Sequence, residues 1–229
     1  RKTHAQVLRD VVEEAEVADA AGLDSFGVGE HHRDDFAVSA PEVLLGAIAG
    51  RTKTIRLGTA VTVLSTDDPV RVYERFATLD GVSNGRAEII LGRGSFTESY
   101  PLFGYKLEDY EELFEEKLEL FAKLRQEGAV TWSGKTRSGL KNQHVYPPAE
   151  KKPIPTWVGV GGSPESVVRA AKYGLPLMLA IIGGSASRFK PYVDLYREAC
   201  EKFGHGELPV AVHSPGHVAE TDAQAKEEY

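Results

Sequence analysis

The residues best suited to acid–base chemistry lie in the segment Gly29 to Asp35, which follows the first predicted strand. His31 and His32 stand there among carboxylates, and imidazole groups in such surroundings act as acids, bases or hydrogen-bond donors near neutral pH. A metal site is the weaker interpretation, because adjacent residues of an extended chain point in opposite directions. We therefore predict no metal ion, while a structural role for both histidines, satisfied by loop partners, stays open.

A glycine-rich loop, Val158 to Ser166, carries the strongest local signal and lies between a predicted strand and a predicted helix. Its accessible backbone amides, and the partial positive charge of a helix that Ser163 can cap, favour an anion such as phosphate. The G-x-G-x-x-G fingerprint of dinucleotide-binding proteins is not met. After the strand that follows, Gly183 to Ser185 stand where a carboxylate would hold a ribose hydroxyl. The loop predicts a phosphate site without a resident nicotinamide dinucleotide, and a glycine turn without a ligand is the alternative.

Two further strand ends carry candidate binding residues. The segment Gly58 to Leu64 has small side chains near its end, which would let a planar ring lie against the backbone or would serve close packing equally well. The segment Gly92-Arg93-Gly94-Ser95 follows the next predicted strand. An arginine framed by glycines can pair with a phosphate or with a negatively charged ring, because its planar fork of donors matches such acceptors.

Predicted strands and helices alternate along the chain. This alternation predicts a parallel sheet with right-handed crossovers, either open or closed into a barrel, whose carboxyl strand ends carry the chemistry. Ser39 with Glu42 and Asp109 with Glu112 predict capping boxes, and Asp68 before a proline predicts a third helix start. The predicted strands are Ser25–Gly29, Ile55–Leu64, Ala87–Gly92, Thr156–Val160, Leu177–Ile182 and Leu208–His213.

Composition excludes several classes of function. Residues 1–229 predict a single domain, in which 128–155, rich in prolines, lysines and turn residues, forms an irregular excursion. The net charge of −7 argues against nucleic acid as a partner. The sequence has no apolar run of the roughly 18 residues that a membrane span needs, and its first residues lack a signal peptide's apolar centre. With Cys200 as the single cysteine, we expect a cytoplasmic protein.

Taken together, the four strand ends resemble the bacterial luciferase-like family of flavin-dependent monooxygenases. The resemblance implies an α/β fold, the (β/α)8 TIM barrel. It places the six predicted strands as the second to seventh of eight, so that the first and last strands are absent from this chain. The resemblance rests on Glu30-His31-His32, Gly58 to Val61, Asp68 to Arg71, Gly85-Arg86, Gly92 to Gly94, and Ile154 to Pro176.

The same resemblance assigns roles to individual residues. The isoalloxazine ring of the flavin would rest against Ala60 and Val61, where family members often have a strand bulge with a non-proline cis peptide bond. His31 aligns with the catalytic histidine of the family. The remaining predicted cofactor-binding residues are Arg93, Gly94 and Ser95 at the ring edge or the phosphate side, and Gly161, Gly162, Ser163 and Ser166 at the phosphate.

The activity that the resemblance implies is oxygenation of a small organic substrate by O2 and reduced FMN (FMNH2). A separate flavin reductase would supply the reduced cofactor, and the protein is expected to form a homodimer. One alternative is hydride transfer with the deazaflavin F420, whose long anionic tail needs a more basic channel than Arg93 alone suggests. Another alternative is a non-catalytic flavin-binding partner subunit, against which the retained His31 argues mildly.

Overall fold

A computed structural model describes residues 2–229 of the chain. The backbone forms two compact units, the first ending at Gly159 and the second running from Val160 to Tyr229. Each unit contains parallel strands joined by helices, as the alternation of predicted elements indicates. Within residues 2–229, the helices are too short or too polar to cross a lipid bilayer.

The first unit begins with a helix and builds a parallel sheet. Its elements are α1 (His4–Ala20), β1 (Ser25–Val28), α2 (Pro41–Ala49), β2 (Arg56–Val63), α3 (Pro69–Val82), β3 (Ala87–Gly92), α4 (Ser99–Leu102), α5 (Tyr110–Leu124), β4 (Val130–Trp132), β5 (Leu140–Gln143) and β6 (Thr156–Val160), whose last residue opens the second unit. Strands β1, β2, β3 and β6 are parallel neighbours in that order. The four strands predicted here are confirmed, and their carboxyl ends share one edge of the sheet.

The segment 128–155, predicted as an irregular excursion, contains one regular element. Strands β4 and β5 form an antiparallel hairpin in which Val130 lies opposite Gln143 and Trp132 lies opposite Leu140. Trp132 is 5% exposed, so burial of its large ring helps to hold the hairpin. The prediction missed the hairpin because strands of three and four residues are too short to show a periodic pattern.

Two of the predicted helix starts need correction. Asp68 caps α3 as predicted, since its Oδ1 accepts from the backbone N–H of Val70 at 2.9 Å. The predicted capping boxes at Ser39 and Asp109 are wrong, because neither α2 nor α5 has a side-chain cap. Helix α2 begins instead at Pro41, whose fixed φ suits the first helical turn and whose missing N–H needs no cap. A 3₁₀ turn, Leu107–Asp109, leads into α5.

Arg86 joins three segments of the first unit beside the start of β3. It is 9% exposed, and its guanidinium donates to the carbonyls of Ala49, Thr52, Ile55 and Ser83 at 2.8–3.1 Å. A fifth bond goes to the hydroxyl of Thr52 at 2.9 Å. The Gly85-Arg86 pair belongs to the family resemblance, and in this structure its arginine satisfies buried carbonyls at the end of α2 and of α3.

The second unit pairs two parallel strands and packs helices around them. Its elements are α6 (Pro164–Lys172), β7 (Leu177–Ala180), α7 (Lys190–Lys202), β8 (Val210–His213) and α8 (Asp222–Glu228). Leu177 lies opposite Val210 in the parallel register, which confirms the last two predicted strands. Cys200 on α7 is 2% exposed, and burial raises the pKa of its thiol, so it is an ordinary buried cysteine.

Candidate functional site

Strand β2 is interrupted by a bulge at its carboxyl end. The Ala60–Val61 peptide bond is cis, and the register with β3 skips a residue: Ala60 lies opposite Ile90, and Thr62 lies opposite Leu91. Val61 therefore has no partner across the ladder. This bulge with a non-proline cis peptide bond stands at the two residues where the family resemblance places it.

Glycines on the neighbouring strands leave space for the side chain of Val61. A Cβ built on Gly92 would lie 2.5 Å from Val61 Cγ2, and one built on Gly159 would lie 3.0 Å from Val61 Cγ1. A Cβ built on Gly94, which has φ +80°, would lie 2.8 Å from Val63 Cγ1. The glycines of the Gly92-x-Gly94 pattern thus admit the side chains of the bulged strand. Ala60 itself stays exposed and presents a small side chain to any ligand at this strand end.

Replacing Gly92 with alanine is expected to lower the free energy of unfolding by about 1–3 kcal/mol, because the added methyl group overlaps Val61 in a buried position. Gly81→Ala is the matched control: nothing lies within 4 Å of a Cβ at this position inside α3, and alanine there is expected to stabilise the helix slightly. Urea denaturation measures both changes. The double variant Gly92→Ala/Val61→Ala should recover most of the loss, and strictly additive effects would contradict the packing explanation.

His31 lies beside the bulge in an aromatic enclosure. Its ring packs against Phe36 at a tilt of 32° with the centroids 4.0 Å apart, and it meets Phe96 edge-on at 4.6 Å. A Cβ built on Gly29 would lie 3.8 Å from His31 Nε2 and 3.7 Å from the carbonyl oxygen of Ala60, so the ring and the bulge flank the same glycine. Nδ1 is buried and has no hydrogen-bond partner among residues 2–229. Burial lowers the pKa of His31, which favours the neutral ring.

His32 has a structural role, in contrast to its neighbour. Its Nε2 contacts Oε1 of Glu30 at 3.0 Å, while Oε2 of Glu30 accepts from the backbone N–H of Val63 at 2.9 Å. Its own backbone N–H donates to Glu98 at 3.3 Å. The structural interpretation left open for the two histidines is therefore right for His32, and His31 is the one with a free ring nitrogen.

Arg93 is already paired within the first unit. Its guanidinium forms an ion pair with Glu111 and lies 4.5 Å from the centroid of the Tyr110 ring. Its carbonyl accepts from the hydroxyl of the buried Tyr100 at 3.3 Å. Ser95, in the same loop, is exposed. The loop therefore follows the predicted strand end, but the positive charge of Arg93 is neutralised by a protein carboxylate.

Lys117, on α5, supports the turn that follows β2 and was missed by the sequence prediction. It is 1% exposed, and its Nζ donates to the carbonyl of Ser65 at 2.6 Å and lies 3.9 Å from the ring centroid of Tyr105. Burial lowers the pKa of Lys117 to about 8. The sequence does not distinguish Lys117 as a buried residue, because α5 contains many other charged residues.

The glycine-rich loop of the second unit has the predicted strand–loop–helix form. Gly161 and Gly162 are exposed, and Ser163 caps α6 by accepting from the backbone N–H of Ser166 at 3.3 Å. Ser166 is 2% exposed, and its hydroxyl accepts from Arg169 at 3.3 Å. Within this unit the structure thus brings together Gly161, Gly162 and Ser163 at an accessible loop, whereas the side chain of Ser166 is buried behind it.

A cleft of about 280 Å³ lies next to this loop, wholly within the second unit. The hydroxyl of Tyr192, on α7, donates to the carbonyl of Gly162 at 3.0 Å and so fixes the orientation of the loop. Arg188 and Tyr192 were not among the predicted site residues, although their i,i+4 spacing after a glycine-rich turn is a readable signal. The cleft is lined by Gly161, Gly162, Ala180, Ile182, Gly183, Arg188, Phe189 and Tyr192.

Residues 2–229 contain no group of three or more histidine, cysteine, aspartate or glutamate side chains placed to hold a metal ion. The groups available for chemistry in the first unit are therefore the His31 ring and the exposed peptide at Ala60–Val61. In the second unit they are the loop amides and the side chains of the cleft.

Known proteins with related sequences include alkanal monooxygenase alpha chains. The sequence model of the family described as luciferase-like monooxygenase matches residues 1–229. The alkanal monooxygenase alpha chain of Photorhabdus luminescens is 29% identical over 209 residues, which are 87% of this chain and 55% of that protein. The corresponding chain of Aliivibrio fischeri is 27% identical over 206 residues, 90% of this chain and 57% of that protein. The chain thus spans about half the length of the curated relatives it matches.

Several solved structures have a similar fold. A monooxygenase, RslO1 from Streptomyces bottropensis, superimposes with a TM-score of 0.88 at 24% identity, over 99% of this chain and 70% of that chain. The oxygenating constituent of 3,6-diketocamphane monooxygenase from Pseudomonas putida, in complex with FMN, superimposes with a TM-score of 0.84 at 20% identity. The match covers 99% of this chain and 66% of that chain. An F420-dependent secondary alcohol dehydrogenase superimposes with a TM-score of 0.78 at 22% identity, over 90% of this chain and 64% of that chain. The chain belongs to the luciferase-like monooxygenase family and has the α/β-barrel fold of that family.

Proposed function

We propose that the protein is a flavin-dependent oxidoreductase that uses reduced FMN and O2 to oxygenate a small organic substrate. The observation that carries the proposal is the bulge at Ala60–Val61 beside His31, whose buried Nδ1 lacks a partner among residues 2–229. Family membership and the alkanal monooxygenase relatives support it. An FMN complex of a structural neighbour supports FMN as the cofactor.

The residues of both units fit a flavin. In the first unit, Ala60 is small and exposed at the bulge, which leaves room for a planar ring against the backbone. In the second unit, Gly161 and Gly162 are exposed in a loop whose helix start favours an anion, so this loop would hold the phosphate group. Gly94 and Ser95, after β3, stay proposed cofactor contacts, and Ser166 would act through its backbone at the cap.

The protein would contribute proton control and exclusion of water, while bound reduced flavin supplies the electrons that activate O2. Burial lowers the pKa of His31, which favours the neutral ring, and the side chain is placed to accept or donate a proton at a ring nitrogen. Phe36 and Phe96 pack on the ring and restrict water there. Glu30 and Lys117 position the backbone after β2 without touching the reacting atoms.

Hydride transfer with F420 is the second candidate, since F420-dependent enzymes are also structural neighbours. FMN and F420 can be distinguished by titrating each cofactor, oxidised and reduced, into the protein while following flavin fluorescence. Micromolar affinity for FMN, with substrate-dependent O2 consumption and an oxygenated product, is the expected result. Tight binding of F420 alone, with hydride transfer and no O2 uptake, would replace the proposal with the second candidate.

Further properties belong to the same proposal. Reduced FMN would come from a separate reductase, and the protein would act in the cytoplasm as a homodimer. A non-catalytic flavin-binding subunit is disfavoured by the retained His31, because a silent subunit has no need for a histidine whose buried Nδ1 lacks a hydrogen-bond partner among residues 2–229. Light scattering of the purified protein measures the assembly, and product analysis with added reductase distinguishes an active from a silent protein.

A further inference from the structure

The arginines that follow the strands differ in whether the protein already neutralises them. Arg93 forms an ion pair with Glu111, and Arg33 donates twice to Asp35, at 2.8 and 3.0 Å. Arg188 is different, because its side chain has no hydrogen bond or ion pair with any of residues 2–229. A guanidinium without a protein carboxylate is free to bind an anion from solution.

Arg188 lines the cleft beside the glycine-rich loop of the second unit. None of the eight residues that line this cleft is acidic, so the guanidinium provides its net charge. The backbone is shaped to receive the side chain: a Cβ on Gly184, at φ +80°, would lie 2.7 Å from Nη1 of Arg188. On the other wall, Gly161 and Gly162 expose backbone, and Tyr192 holds the Gly162 carbonyl at 3.0 Å.

We propose that Arg188 is the anion-binding residue of this cleft and that it binds the terminal phosphate of the flavin, which is one of the two roles that the sequence leaves open for Arg93. This inference rests on the proposed flavin function. A planar guanidinium pairs with two phosphate oxygens at once, and glycine amides bind the remaining oxygens. The phosphate of a flavin and free inorganic phosphate present the same chemistry, so the experiment compares them.

The inference predicts how Arg188 contributes to discrimination between FMN and riboflavin, which differ by the phosphate group. Replacing Arg188 with alanine is expected to raise the Kd for FMN by about 10- to 100-fold, the size of a lost charge-assisted pair. The Kd for riboflavin is expected to stay within about 2-fold, since riboflavin has no group for the guanidinium. Arg188→Lys should recover only part of the affinity, because lysine cannot bind two oxygens in one plane.

Arg197→Ala is the matched control. Arg197 stands on α7, the helix that follows the turn carrying Arg188; it is exposed and is paired with Glu207 at 3.3 Å. Its loss removes one positive charge from the same unit without touching the cleft, so the Kd values for FMN and riboflavin should both stay unchanged. Fluorescence titration gives the flavin affinities, and calorimetric titration with inorganic phosphate reports on the anion site without a flavin ring.

Each outcome separates this inference from the proposed function. A preference for FMN over riboflavin that collapses in Arg188→Ala and persists in Arg197→Ala supports the inference. A preference that persists in Arg188→Ala overturns it and leaves flavin binding intact. If neither flavin binds but Arg188 is required for binding of inorganic phosphate, the proposed function fails and the anion site stands. If the unchanged protein binds neither a flavin nor inorganic phosphate, the inference and the proposed function are both overturned.

Discussion

Replacing His31 with alanine is expected to lower turnover at least about 100-fold, the contribution typical of a positioned proton donor or acceptor. The Kd for FMN should change little, because the ring surface at Ala60–Val61 and the loop of the second unit are untouched. Fluorescence titration measures binding, and product formation with saturating reductase measures turnover. His144→Ala is the matched control, since His144 is exposed near the hairpin of the first unit and should leave both quantities unchanged.

The pH dependence follows from the burial of His31. Burial disfavours the charged imidazolium, so the pKa lies below its ordinary value near 6.5 and the neutral ring dominates at pH 7. A reaction that needs the neutral ring should therefore lose its rate at a lower pH than it would with an imidazole of ordinary pKa. Phe96→Ala exposes the ring and should move the loss of activity to higher pH, which pH–rate profiles and NMR titration of His31 measure.

Two results would contradict the role of His31. Full turnover in His31→Ala would remove it from the chemistry, because the reaction would then proceed without its ring nitrogen. If Phe96→Ala shifts the pKa of His31 in the NMR titration but leaves the pH–rate profile unchanged, another group limits the rate. Loss of FMN binding in His31→Ala would instead assign the ring a structural part in holding the bulge.

Most of the sheet could be predicted from local sequence. Each strand carries an apolar run bounded by turn residues, and the predicted ends lie within one to two residues of the observed ones for β1, β2 and β7. The hairpin at 130–143 was not predicted from the sequence, because its stability depends on where Trp132 is buried. The capping boxes at Ser39 and Asp109 failed because Pro41 and a 3₁₀ turn satisfied the helix starts in another way.

The candidate site was predictable in position and less so in the role of each residue. His31, the bulge and the glycine-rich loop could be located from the predicted strand ends, because parallel folds bind ligands at the carboxyl ends of their strands. The reason for a glycine at position 92 is the side chain of Val61, which would clash with a larger residue there. Only tertiary packing decides where that side chain lies. The pairing of Arg93 with Glu111 joins residues 18 apart, and neither spacing nor composition selects that partner.

Arg86 is expected to contribute more to stability than any exposed arginine of the first unit, although the family resemblance includes it among its motifs. Arg86→Met should lower the free energy of unfolding by about 3–5 kcal/mol, because buried carbonyls at the ends of two helices lose their charged donor. Methionine retains much of the apolar stem, so lost hydrogen bonds rather than lost volume dominate the change.

Arg51→Met is the comparison that tests this explanation. Arg51 donates twice to Glu16, at 2.7 and 2.6 Å, but both side chains are partly exposed, so its loss should cost less than about 1 kcal/mol. Urea denaturation with an unchanged m-value measures both variants. Equal losses would show that the number of hydrogen bonds matters and burial does not. A large loss in Arg86→Met alone assigns the energy to the buried carbonyls, and the same variant should keep the ratio of FMN to riboflavin affinity, since Arg86 acts on the scaffold.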